Sequence, residues 1–265
     1  MRQTRIPGAA ALVLIVLPLI HCSSSSSSSS SVGPSTTTAP TSTAPAAASP
    51  APAASAPSLP AIYAKFGNGT QISLSGTTVV ITTQDLPDHK SPYWGQGSAN
   101  YEAPQSGMTV NPNRISAQNI TFRIPASPAR ATATSTPLGP MGVATNGVAL
   151  FNQYAAGFTP LGPEMQSFDR YNGHPTGQNQ YHYHIEPVWL TASSKAALIG
   201  VLLDGFPVYG PQDSTGATPS DLDSCNGHTG VTPDYPGGIY HYHITSAPPY
   251  IAGCFAGAIG TVTGG

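Results

Sequence analysis

One pattern, written twice, constrains the fold of this chain more than any other feature. Gly142-Val-Ala-Thr-Asn-Gly147 recurs as Gly200-Val-Leu-Leu-Asp-Gly205. Asp169-Arg-Tyr-Asn-Gly-His174 recurs as Asp223-Ser-Cys-Asn-Gly-His228, and Tyr181-His-Tyr-His-Ile185 as Tyr240-His-Tyr-His-Ile244. The blocks keep their order, at offsets of 58, 54 and 59 residues. The second copy therefore has the longer loop between its first and second histidines. Two matching units, about 142–187 and 200–246, are expected to fold alike and to be related by an approximate twofold axis. Of the eight histidines, His21 and His89 stand outside the pattern, and the other six fall three to a copy.

A strand turns successive side chains to opposite faces. Tyr-His-Tyr-His then puts His182 and His184 on one face and Tyr181 and Tyr183 on the other, with His241 and His243 set likewise against Tyr240 and Tyr242. Two imidazoles on one face can reach a common ion. His174 and His228 each follow Asn-Gly, where glycine permits the positive φ that swings the ring over the strand. Each copy so offers three neutral imidazoles, a ligand set for Zn, Cu, Ni or Fe(II), with Cu or Zn the ions expected. If the two Tyr-His-Tyr-His strands pair with each other, His182, His184, His241 and His243 converge, and His174 and His228 complete one shared site or two equivalent ones. The competing reading makes the histidines structural, bonded to carbonyls and carboxylates. Asp169 and Asp223, five residues before the first histidine of each copy, either orient those rings or cap the turns. Glu186 follows only the first cluster, as a general base, a ligand or a solvated surface charge. The tyrosines are expected to pack in the core with bonded hydroxyls.

Composition narrows the fold class. Gly and Pro number 28 each in 265 residues, which disfavours long amphipathic helices. Charged residues are 8% of the chain, with nine Lys and Arg against eleven acids, so no basic patch exists to neutralise a nucleic-acid backbone. Residues 70–74, 77–83 and 119–124 read as strands, and 143–151 and 200–209 as hairpins turning at Asn146-Gly147 and Asp204-Gly205. Only Ser193–Leu198 hints at a short helix. The expectation is an all-β or β-rich domain with long loops, sandwich-like rather than a closed barrel, over residues 61–265.

The N-terminus reads as an address. Arg2 and Arg5 precede an apolar run from Ala9 to Ile20, the proportions of a signal-peptide core. Leu19-Ile20-His21-Cys22 resembles a bacterial lipobox with His21 at a usually small position, which makes Cys22 the lipidation candidate; plain secretion is the alternative. Residues 23–60, beginning with nine serines, read as a disordered Ser/Thr/Ala/Pro tether. The expected location is the bacterial cell envelope or the exterior, with membrane contact only through a lipid. Cys225 and Cys254, an even pair in an exported domain, are expected to form a disulfide; metal thiolates are the rival.

These residues resemble the bacterial YHYH protein family. The resemblance spans Gly142 to Gly257, including Leu203-Asp-Gly-Phe-Pro-Val-Tyr-Gly210 and Pro249-Tyr-Ile-Ala-Gly-Cys254. It extends back to Leu86-Pro-Asp-His89, where Asp85 stands in the place of the family's glycine, and so adds His89 as a weaker site candidate. In the repeats themselves, Tyr171 stands where the second copy has Cys225. The resemblance implies kinship rather than an activity. Three functions therefore stand side by side: an exported metal-binding protein, a metalloenzyme with an open coordination position, and a β module built on buried His-Tyr networks. No Gly-x-Ser-x-Gly nucleophile and no phosphate-cradling glycine loop is present.

Overall fold

The computed structural model describes residues 58–67 and 69–265; the leader, the tether and Cys22 lie outside the described residues. From the N-terminal side come β1 (Gln71–Ser75), β2 (Thr78–Thr83), β3 (Ile120–Pro125) and β4 (Arg130–Ser135). The first copy supplies β5 (Gly142–Ala144), β6 (Ala149–Leu150), β7 (Tyr154–Ala155), β8 (Thr159–Pro160), β9 (Gly173–Pro175) and β10 (Tyr181–Tyr183). The second supplies β11 (Leu198–Leu202), β12 (Pro207–Tyr209), β13 (Gly227–Thr232) and β14 (Tyr235–His243), and the chain closes with β15 (Cys254–Gly257) and β16 (Thr261–Thr263). The fold is β-rich, in several sheets with no closed barrel. The only helices among the described residues are 3₁₀ turns. The expected helix at Ser193–Leu198 is absent: turns there lead straight into β11. Leu198 to Leu202 is a continuous buried apolar run, and burial on both faces favours a strand.

Eight strands form the main sheet, in the order β13-β14-β12-β11-β5-β6-β10-β9. The order of roles is the same read from either edge. β10 lies antiparallel to β9 and parallel to β6, as β14 lies antiparallel to β13 and parallel to β12. β5 and β11 meet antiparallel at the centre, with Val143 opposite Val201, Gly142 opposite Leu202 and Gly200 opposite Ala144. Both central glycines are needed for room: a Cβ on Gly200 would lie 2.1 Å from the Val143 carbonyl oxygen, and one on Gly142 2.5 Å from that of Val201.

A second sheet, β1-β2-β3-β16, shares one core with the first. Its strands alternate as their sequences require: Val79, Ile81, Ile120, Phe122 and Ile124 are buried, among the same cluster as Val143, Leu150, Val201 and Val208. The hairpin turns of the main sheet bond to this second sheet. Thr83 Oγ1 donates to the Gly147 carbonyl at 2.8 Å, and the Gly260 N–H to that of Leu203 at 2.8 Å. Cys225 and Cys254 form the expected disulfide, with Cα atoms 4.7 Å apart.

Candidate metal centres

The histidines gather into two trios, His174 with His182 and His184, and His228 with His241 and His243. Within each, the ligand atoms lie within 4.8 Å of one another. The hairpins explain this. His174 on β9 is directly opposite His182 on β10, and His228 on β13 directly opposite His241 on β14. Directly opposed side chains start about 4.5–5.5 Å apart at Cβ, and the third imidazole is supplied by the i+2 position. The expected pairing of the two Tyr-His-Tyr-His strands does not occur. Four strands separate β10 from β14, about 24 Å at ~4.8 Å per strand. The four histidines therefore serve two separate centres. The reason is that each such strand takes its own hairpin partner on one side and a parallel strand of its own half on the other.

The hydrogen bonds assign every ring proton. His184 Nδ1 faces the Asn152 carbonyl, His182 Nδ1 that of Gln180 at 3.2 Å, His241 Nδ1 that of Ile239 at 3.0 Å and His243 Nδ1 that of Gly210 at 2.8 Å. A carbonyl only accepts, so these nitrogens carry the proton. His228 Nδ1 donates to Asp221 Oδ1 at 2.8 Å. His174 Nδ1 lies 2.7 Å from Ser167 Oγ, whose own proton goes to the Glu164 carbonyl, so His174 donates as well. All six Nε2 atoms are left with a bare lone pair. Those of His182 and His184 sit 2.9 Å apart, and those of His228 and His241 3.0 Å. The Nε2 atoms of His174 and His243 are buried without any partner. Facing lone pairs repel unless a cation or an added proton lies between them.

Burial disfavours the added proton. It pushes His174 down to about 3 and His184 and His241 down to about 4, and it lowers His182 and His243 too. Neutral imidazole is the ligand form, and the residues present fit a transition-metal ion. Thiolates take no part, since both cysteines of the domain are in the disulfide. Both centres have carboxylates in attendance, Glu164 at the first and Asp221 and Asp213 at the second. Glu164 Oε1 is 3.7 Å from His174 Nε2, too far for a hydrogen bond, with Oε2 buried and unpartnered and its pKa raised by burial. Asp221 reaches the second centre through His228.

For several residues the hydrogen bonds match one of the roles the sequence left open. Asp169 and Asp223 do not orient the histidines. They cap their own turns, accepting from the N–H groups of Tyr171 and Gly173, and of Cys225 and Gly227. They also receive the hydroxyls of Tyr181 at 2.7 Å and Tyr240 at 3.0 Å on the opposite face. Glu186 bonds to Thr191 and Lys195, away from both centres. Its partly buried, lysine-paired setting is closest to the surface-charge alternative. His89 lies on the tyrosine face, with Nε2 3.0 Å from the Tyr183 hydroxyl and the Tyr171 ring 4.2 Å away. Its Nδ1 proton goes to the Lys90 carbonyl, and no second histidine is near it in either trio.

The residues that do orient the first histidine of each copy are Ser167 and Asp221, each seven positions upstream of its histidine. The sequence reading missed them. Carrying the 54-residue offset two positions beyond Asp169 and Asp223 finds the pair. The same logic matches Asn152 to Gly210, whose carbonyls hold His184 and His243, at the 58-residue offset.

A family model described as "YHYH protein" matches residues 121–219 and 212–257, more than half of the chain. The chain belongs to the YHYH protein family. No curated protein and no solved structure matches it. Outside the matched region, Asp85 has a φ of +58°, in the left-handed region that glycine favours. Aspartate is tolerated there because its Oδ1 accepts the Ala149 N–H at 2.7 Å.

Proposed function

We propose that this YHYH protein binds divalent transition-metal ions, copper or zinc, at two three-histidine centres outside the cytoplasm. One observation carries the reading. Five buried imidazoles and one partly buried one, His228, donate hydrogen bonds from Nδ1 and turn their Nε2 atoms together in two trios. Locking the ring this way is how proteins fix a histidine ligand and raise its basicity. Export is supported by the signal-like segment ahead of Cys22 and by the disulfide, which belongs to oxidising compartments. An acylated Cys22 with a tether over 23–60 would hold the domain at a membrane surface. A metalloenzyme acting at the first centre is the second reading, favoured by the cavity beside that centre.

Elemental analysis of protein purified without chelators, then supplied with Zn or Cu, should find two ions per chain. Replacing His182 and His184 by Ala should leave one, while Tyr181→Phe with Tyr183→Phe should keep two. A chain that takes up neither metal would make the histidines structural. Cys22→Ala should move the protein from the membrane to the soluble fraction; an unchanged distribution would remove the anchor.

A further inference from the structure

The two trios share ligand atoms and differ in what lies before them. Beside His182 and His184 is a cavity of about 290 Å³, whose walls include Leu138, Phe151, Tyr154, Ala155, Glu164 and Gln178. Before His241 and His243 the space is about 10 Å³, room for about one water. The difference follows from the chain. Val231, Thr232 and Pro233 of the longer β13–β14 hairpin, with Gln212, Asp213 and Ser214, close over the second trio. In the first copy only eight positions separate His174 from His182, against thirteen between His228 and His241, and its shorter turn, with Thr176, Gly177 and Gln178, lines the cavity without filling it.

We propose that the first trio is a small-molecule binding site, resting on the metal reading above. An ion held by His174, His182 and His184 keeps a coordination position open to the cavity, whereas the space before His241 and His243 admits about one water and the partly exposed His228 ring borders solvent. The cavity selects the ligand class. Its walls combine apolar and aromatic side chains with Glu164, Thr176 and Gln178, and Phe151 stacks on the His182 ring at 4.0 Å, which favours a flat apolar body against the trio. The ligand is therefore a molecule with one nitrogen or oxygen donor for the ion and an apolar, planar body.

The test uses the full chain loaded with Cu(II), with the visible band of the ion as readout and metal content measured before and after. The probes are imidazole, 4-phenylimidazole and azide. One variant keeps only the first centre (His241→Ala with His243→Ala) and another only the second (His182→Ala with His184→Ala). A third, Gly177→Phe, leaves both trios intact and narrows the cavity; a Cβ at Gly177 meets nothing within 4 Å. The band should shift saturably with the first centre alone and stay fixed with the second alone. Burying the phenyl group should make 4-phenylimidazole bind about tenfold more tightly than imidazole. Gly177→Phe should erase that advantage. An equal response from both centres, or a first centre that holds copper and ignores all three probes, overturns the proposal and leaves the metal reading standing. A chain that takes up no copper overturns both.

Discussion

Asn172 and Asn226 adopt the positive φ in the turns before the first histidines, at 66° and 69°. Glycine was expected to supply that freedom. Gly173 and Gly227 instead supply space, because a Cβ would lie 2.4 Å from the Tyr181 hydroxyl and 2.2 Å from that of Tyr240. Those tyrosines are the reverse face of the histidine strands, and their hydroxyls bind the aspartates that cap the same turns. Turn, tyrosine and histidine are therefore one interlocked unit. Gly173→Ala should cost about 1–3 kcal/mol through overpacking and should lower metal uptake at the first centre alone. A denaturation midpoint and metal content both equal to wild type would count against this. The histidines also set a pH dependence. The folded pKa values of His174, His182, His184, His241 and His243 lie below the unfolded value of about 6.5, at about 3 for His174 and about 4 for His184. The unfolded chain binds more protons in between, so the metal-free domain is most stable above about pH 6.5 and loses that contribution as pH falls toward 3 to 4. Glu164, Asp85 and Asp204, whose pKa values burial raises, act in the opposite sense. The His182→Gln, His184→Gln variant isolates the histidines: its melting temperature should fall less between pH 7 and pH 5 than that of the parent. Equal falls would mean that burial does not hold the rings neutral.

At the scale of elements, much was legible because it was local. Asn146-Gly147 and Asp204-Gly205 turn the β5–β6 and β11–β12 hairpins, and the period-two alternation placed histidines and tyrosines on opposite faces. Strand partnership was not legible, because alternation within one strand carries no information about its neighbour. That is why β10 and β14 were expected side by side and stand apart. Duplication of one unit would account for the order of the main sheet and for the matched residues Ser167 and Asp221, or Asn152 and Gly210. The two copies also differ in one element, the β13–β14 hairpin. Its covering of the second centre predicts kinetics. A chelator should strip metal from the loaded protein in two phases, fast from the first centre and slow from the second. His182→Ala with His184→Ala should abolish the fast phase, and a shortened β13–β14 tip should speed the slow one. A single phase in the wild type would contradict the difference in access.

Across the whole molecule, the two halves are fastened to the rest by different means. In the first, Tyr171 packs its ring on His89 and against Trp189, at 4.2 and 5.2 Å between centroids. In the second, the equivalent position is Cys225, joined to Cys254 at the start of β15. β15 pairs with β4, so the bond ties the turn leading into β13 to a strand pair outside the main sheet. The sequence separation is 29 residues, and closing a loop of that size contributes about 2–4 kcal/mol. The bond lies three positions before His228, with Asn226 and Gly227 between, so its loss should fall on the second centre. Metal bound only by the folded state adds stability by mass action, about 2.7 kcal/mol at a free concentration one hundred times Kd. Two consequences separate these contributions. Cys225→Ser with Cys254→Ser should lower the melting temperature of metal-free protein and speed metal release in the slow phase. The fast phase, governed by His174, His182 and His184 in the other half of the sheet, should keep its rate. If both phases accelerate together, the halves share one cooperative unit and the disulfide supports the whole sheet. If neither moves, the β13–β14 flap alone retains the second ion.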